Sequence, residues 1–168
     1  VACAFVASAL ALAMLGPSRV GLATVPAASS RIVAPQNIVL IVTDDQPRGM
    51  LDAMPFVRSQ IFARGVTLDT AIIPTSQCCP SRAGLLSGRY AHTTDMYFNT
   101  QPHGGWGSFR PWEGRALPVK LDNAGFTTVM IGKYLNGWGH GSDRPIPKGW
   151  DRFIAMPRAS YYDYELAG

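Results

Sequence analysis

Apolar residues fill positions 38–42 without a polar break, between Asn37 and Thr43. A run rich in β-branched residues and lacking alternation predicts a strand buried on both faces, of the parallel-sheet kind. Asp44-Asp45 ends it. Met54, Val57, Ile61 and Phe62 recur at helical spacing and predict a helix over 54–64, closed by Gly65. Residues 66–73 predict a second strand, stopped by Pro74. Pro80 suits the first turn of a helix over 80–86. A third helix is expected over 117–124 with Gly125 as its cap. A third strand follows over 126–131, ended by Gly132-Lys133. Residues 97–112 are rich in Gly, Pro and aromatics and read as an irregular surface loop lining a cleft.

Helices alternating with strands predict an α/β fold, with a mostly parallel sheet flanked by helices. Such sheets bind ligands beyond the carboxyl ends of their strands. The ends of two expected strands carry Asp44-Asp45 and Lys133. The sequence has no internal repeat.

Residues 1–15 are almost wholly Ala, Val, Leu, Phe and Met and carry no charge. Gly16-Pro17 breaks the run and small residues follow to Ser30. This pattern reads as the apolar core and cleavage zone of a signal peptide over 1–30, with its start missing. The alternative is an N-terminal anchor helix, but the run is short for a membrane span. Residues 31–168 are then the folded part of an exported protein, expected to have no stable membrane span after cleavage.

Composition narrows the functions. Of 168 residues 47% are apolar and 15% charged, which is globular and not disordered. The net charge of +4 is carried by scattered arginines, among them Arg48, Arg58, Arg64, Arg89 and Arg110. No basic run forms, so a nucleic-acid partner is not expected, although local pockets for a small anion are compatible. Of three cysteines, Cys3 lies in the signal region, while Cys78 and Cys79 are adjacent. Neighbours pair only through a strained ring, and two cysteines without nearby partners make a poor zinc site.

The adjacent carboxylates of Asp44 and Asp45 repel unless something neutralises them. A hard divalent cation does this, and a solvated turn is the plainer reading. The segment Cys78-Cys79-Pro80-Ser81-Arg82, followed by Leu86-Ser87-Gly88-Arg89, resembles the sulfatase signature C-x-P-S-R. Gly132-Lys133-Tyr134-Leu135-Asn136 is similar to that family's second signature, and Asp44-Asp45-Gln46 to its metal-binding turn. The resemblance runs from about Asn37 to the end of the chain.

The resemblance implies an alkaline phosphatase-like α/β fold, of which this is the N-terminal part. It implies that Cys78 is oxidised to formylglycine by a formylglycine-generating enzyme that reads Cys78, Pro80 and Arg82. Cys79 then occupies the variable position, as a small buried residue. Asp44, Asp45 and the modified Cys78 would hold Ca²⁺, with Mg²⁺ as the alternative, and Arg82 and Lys133 would contact the hydrated aldehyde and the sulfate. The expected reaction is hydrolysis of a sulfate monoester on a small molecule or glycan. The form Lys133-Tyr134-Leu135-Asn136 with the doubled cysteine looks like the subgroup acting on the 6-sulfate of glucosamine-type sugars. Many members carry His where Leu135 stands, which leaves the leaving-group acid unassigned, with His92, His103 and His140 as candidates. The family's remaining ligands have no counterpart after Lys133, so the chain on its own is expected to turn over little. Two rival readings are a phosphonate or phosphodiester hydrolase of the same superfamily and a non-catalytic binder of sulfated glycans.

Overall fold

Proline fixes φ near the value a helix needs, and two short helices exploit this. The computed structural model describes residues 37–47 and 49–168. The expected signal peptide and anchor lie outside the described residues. Pro55 opens α1 (Pro55–Gln60), which gives way at Ile61 to a 3₁₀ turn, Phe62–Arg64. The helix expected over 54–64 is thus present but broken. Its apolar residues Phe56, Ile61 and Phe62 remain exposed, so no packed face enforces regular α geometry.

The helix α2 (Cys78–Ser87) is the regular element nearest the chemistry. Its residues Cys79, Pro80 and Ala83 are buried, which turns one face to the core. Gly88 ends it at φ 65 with its N–H on the Gly84 carbonyl at 2.8 Å, a conformation that glycine adopts without strain. A short turn α3 (Ala91–Thr94) follows. Residues 97–112 are more ordered than an irregular loop: they contain α4 (Gly105–Phe109) and the start of a 3₁₀ segment, Arg110–Arg115. Buried anchors impose this order. Phe109 is fully buried, and the Trp106 indole N–H donates to the buried Glu113 carboxylate at 2.7 Å. Helix α5 (Leu117–Asn123) stands where expected, and Gly125 follows it at φ 86.

Two strands pair in parallel, β1 (Val129–Gly132) and β2 (Arg152–Ala155), in register Val129↔Arg152 to Gly132↔Ala155. The strand expected over 126–131 therefore begins later. Thr128 fixes its start, because its N–H and hydroxyl both bond the Asp151 carboxylate. Nothing in the alternation pattern pointed to β2. Its Phe153 is the centre of the core, edge-on to Tyr134 at 5.0 Å and to Trp138 at 4.9 Å. These rings and the buried face of α2 belong to one apolar cluster.

Two expected strands are not formed. Residues 37–43 have no partner strand among the described residues, and Ile38, Val39 and Ile41 are exposed. Residues 66–73 are interrupted by a turn at Asp69-Thr70. An apolar run supplies side chains for a sheet, but a strand exists only where a neighbour accepts its backbone hydrogen bonds. The α/β class with a parallel pair is present, and among the described residues the sheet has two strands. Among the described residues no helix is long and apolar enough to cross a membrane.

Candidate active site

Four separate stretches of chain bring their polar residues to one place. Residues 37–43 deliver Asp44 and Asp45, with Asp45 turning the chain at φ 50. The first residue of α2 is Cys78, and Arg82 lies one turn further along the same helix. Lys133 follows β1 directly, where Gly132 at φ 106 bends the chain out of the strand. Tyr161 comes from the tail. A cavity of about 750 Å³ is lined by Asp44, Asp45, Cys78, Ser81, Arg82 and Tyr90, among others.

Asp44 is the hub. Its Oδ2 accepts from the Lys133 ammonium at 2.6 Å and its Oδ1 from the Arg82 guanidinium at 3.2 Å. Arg82 also donates to the Lys133 carbonyl at 2.7 Å, so one guanidinium ties the strand end to the acidic turn. Burial disfavours the charged carboxylate of Asp44, but the hydrogen bonds and charges of Lys133 and Arg82 outweigh it and hold its pKa below the ordinary value. Burial likewise disfavours the Lys133 cation, and Asp44 with Cys78 overturns that and raises its pKa. All three side chains are largely shielded, at 24% exposure for Asp44, 16% for Lys133 and 14% for Arg82.

Asp45 faces the nucleophile position. Its Oδ1 lies 3.9 Å from the Cys78 sulfur, and its Oδ2 accepts from the Tyr161 hydroxyl at 2.7 Å. That hydrogen bond raises the Tyr161 pKa. Ligating atoms of Asp44, Asp45 and Cys78 lie within 4.8 Å of one another. The two carboxylates fit a hard divalent cation, whereas the Cys78 thiol as it stands is a soft donor. Every carboxylate oxygen present has two lone pairs, and the hydrogen bonds described occupy one on each.

All five residues singled out from the sequence, Asp44, Asp45, Cys78, Arg82 and Lys133, therefore meet. Cys79 is fully buried, as its variable position suggested, and burial pushes its thiol pKa up. Leu135 is core, packed with Tyr134 and Trp138. The three histidines are elsewhere engaged or exposed. His92 stacks on Tyr90 at 5.7 Å, His103 pairs with Asp95 at 2.8 Å, and His140 is exposed. None of them hydrogen-bonds to the five site residues. Two residues with site contacts escaped sequence reasoning. Tyr161 stands in an aromatic tail whose pattern carries no signal for it, and Asn99 accepts from the Cys79 N–H at 2.9 Å.

The model of the family described as Sulfatase matches residues 36–166. The chain is 36% identical over 133 residues to a Caenorhabditis elegans homolog of the extracellular sulfatase Sulf-1, covering 77% of this chain and 18% of that protein. It is 34% identical over 142 residues to the N-acetylglucosamine-6-sulfatase of Homo sapiens, covering 78% and 25%. An arylsulfatase of Volvox carteri is 31% identical over 139 residues, covering 79% and 21%. The chain thus spans between 18% and 25% of the length of these curated relatives. No solved structure matches it significantly.

Proposed function

Because this chain belongs to the sulfatase family, we propose that it carries the nucleophile-bearing half of a site that hydrolyses a sulfate monoester. One observation carries the reading: Asp44, Asp45, Cys78, Arg82 and Lys133, spread over 90 positions of sequence, meet in one place, with Arg82 and Lys133 on the Asp44 carboxylate and Cys78 beside that of Asp45. A sulfate ester is an anion, so a site that attacks it must first neutralise charge. Lys133 and Arg82 supply two positive groups, and Asp44 holds both at fixed distance. The start of α2 adds the positive end of a helix dipole beneath Cys78.

Cys78 as a thiol is the precursor of the reacting group. Asp44 and Asp45, with the group at position 78, would hold the cation, with Ca²⁺ preferred to Mg²⁺ for an oxygen-rich set of carboxylates. Formylglycine at position 78, once hydrated, would supply one hydroxyl for attack on sulfur, with the alcohol leaving, and a second whose deprotonation would expel sulfate and restore the aldehyde; a bound cation would make the first easier to deprotonate. Arg82 anchors the acidic turn to the loop after β1. Lys133 is placed to pass its ammonium from Asp44 to a sulfate oxygen as substrate enters. The formylglycine-generating enzyme is the required partner, and the start of this chain is read as an export signal.

The 6-sulfate of a glucosamine-type sugar is the substrate we favour. The relative named N-acetylglucosamine-6-sulfatase supports it, as does the run Lys133-Tyr134-Leu135-Asn136 beside the doubled cysteine. The test uses the protein produced from its complete gene in its native host. Mass spectrometry of the peptide containing Cys78 should show the aldehyde at position 78 and an intact thiol at Cys79. Hydrolysis of glucosamine 6-sulfate should depend on added Ca²⁺ and vanish in Cys78→Ala. An unmodified Cys78 in active protein would sink the reading. Faster cleavage of a phosphate diester would move it to the neighbouring hydrolase class.

A further inference from the structure

We infer that Asn99 is a positioning residue for the group at position 78, acting through the backbone of Cys79; this deepens the hydrolase reading above and rests on it. The first amides of a helix have no partner inside the helix. In α2 the residue before the first turn, Gln77, gives no side-chain cap. The Cys79 amide is one of these unpartnered donors, and Cys79 is fully buried, so water cannot serve it. Asn99 Oδ1 accepts this N–H at 2.9 Å from 20 residues away. The amide next to Cys78 is therefore fixed by a side chain that belongs to another segment.

That segment is itself closed. The N–H groups of Tyr97 and Phe98 both donate to the His103 carbonyl, at 2.7 and 2.9 Å. The Ser108 hydroxyl donates to the Pro102 carbonyl at 2.8 Å and accepts from the Gly104 N–H at 3.3 Å. Asn99 is presented from a loop pinned on both sides. The same loop reaches the other half of the site, because the Trp106 N–H donates to the Asn136 carbonyl at 2.7 Å, three residues after Lys133. A side chain at Gly105 would press on that carbonyl at 3.2 Å, so the approach is close. Loop 97–106 thus sets two distances at once: Asn99 holds the start of α2, and Trp106 holds the loop that carries Lys133. Withdrawing the Asn99 acceptor leaves a buried donor unpaired and frees the first turn to shift the group at position 78 against Lys133 and Asp45.

The experiment compares wild type, Asn99→Ala and Asn99→Asp in the protein from its complete gene, with Asn99→Ser replacing the alanine variant should that one not fold. Residue-resolved amide exchange should rise at Cys79 by about tenfold or more in Asn99→Ala, with Leu85 and Leu86 unchanged, and should return in Asn99→Asp, which keeps the acceptor. The kcat for sulfate-ester hydrolysis should fall about tenfold with KM within about twofold, again rescued by Asn99→Asp. Unchanged exchange at Cys79 overturns the inference, and so does faster exchange there with unchanged kcat. Loss of protection along the whole of α2, without rescue, reduces Asn99 to a fold residue and overturns it too. If the wild type cleaves no sulfate ester, the hydrolase reading fails on its own, and exchange at Cys79 with its rescue decides the role of Asn99.

Discussion

The Lys133 ammonium sits 2.6 Å from Asp44 Oδ2 across 89 residues of sequence, and the Arg82 guanidinium holds the other oxygen of the same carboxylate. With Asp45 3.9 Å from the Cys78 sulfur, these two cations share the site with two carboxylates. Charges partly shielded from water are costly unless each is paired, and Asp44 pairs both cations.

The sign of the pH dependence follows from these pairs. The folded-state pKa of Asp44 lies below its ordinary value of 3.8, so its contribution is fully present above that value and is lost as pH falls through the lowered pKa. Lys133 lies above its ordinary 10.5, so its contribution is present below that value and is lost as pH rises through the raised pKa. Between about pH 5 and about pH 9 the pair therefore contributes a constant amount. Thermal unfolding of wild type and Asp44→Asn across pH should show a constant difference in Tm over that window, narrowing at more acid pH. A difference that already closes near neutrality would mean that the charge on Asp44 is not its source.

Lys133→Met removes the ammonium and keeps the aliphatic stem. The pair is shielded but not fully buried, so the cost should be about 1–2 kcal/mol, between surface and interior ion pairs. Denaturant unfolding of Lys133→Met, Asp44→Asn and the double variant should give a coupling of about 1 kcal/mol. Additive effects would show that the contact carries no net energy.

The local chemistry of the site was more legible than its sheet. Five site residues stood out because each belongs to a short motif with fixed spacing, and local spacing survives into structure when a helix start or a strand end carries it. Pro80 in the first turn of α2 and Gly132 after β1 are such local devices. The strands over 37–43 and 66–73 were argued from side chains alone, but pairing depends on a distant partner that no window of sequence contains. The strand β2 was overlooked for the converse reason. Its four residues, Arg152–Ala155, are too few to show a period, and the Phe153 ring packing defines it better than its pattern. Asn99 was invisible because its role lies in one hydrogen bond to a backbone amide 20 residues earlier.

The core beneath the site should be sensitive at Phe153. Its ring is 3% exposed and meets Tyr134 and Trp138 edge-on. Phe153→Ala should cost about 3–5 kcal/mol through lost contact and the cavity left behind, read by urea unfolding. Tyr134 follows Lys133 directly, so the same variant should also weaken the Lys133–Asp44 coupling. A full-sized loss of stability with the coupling intact would show that the ring cluster supports the fold without positioning the lysine.

Tyr161 offers a test of the cation site that needs no turnover. Its hydroxyl donates to Asp45 Oδ2 at 2.7 Å, and the carboxylate raises the phenol pKa, first through that hydrogen bond and then through its charge. Subtracting the ultraviolet pH titration of Tyr161→Phe from that of wild type isolates this one phenol. It should ionise later than an ordinary tyrosine, and Asp45→Asn should bring it back to lower pH, because both the charge and the strong acceptor are gone. A divalent cation on Asp45 acts in the same direction, since it neutralises the carboxylate and competes for its lone pairs. Adding Ca²⁺ to wild type should therefore move the Tyr161 titration toward lower pH and leave it unmoved in Asp45→Asn. If Ca²⁺ shifts the phenol equally in both proteins, the ion acts somewhere other than Asp45. If it shifts neither, Asp44, Asp45 and Cys78 are a cluster held by Lys133, Arg82 and Tyr161 and not by a cation.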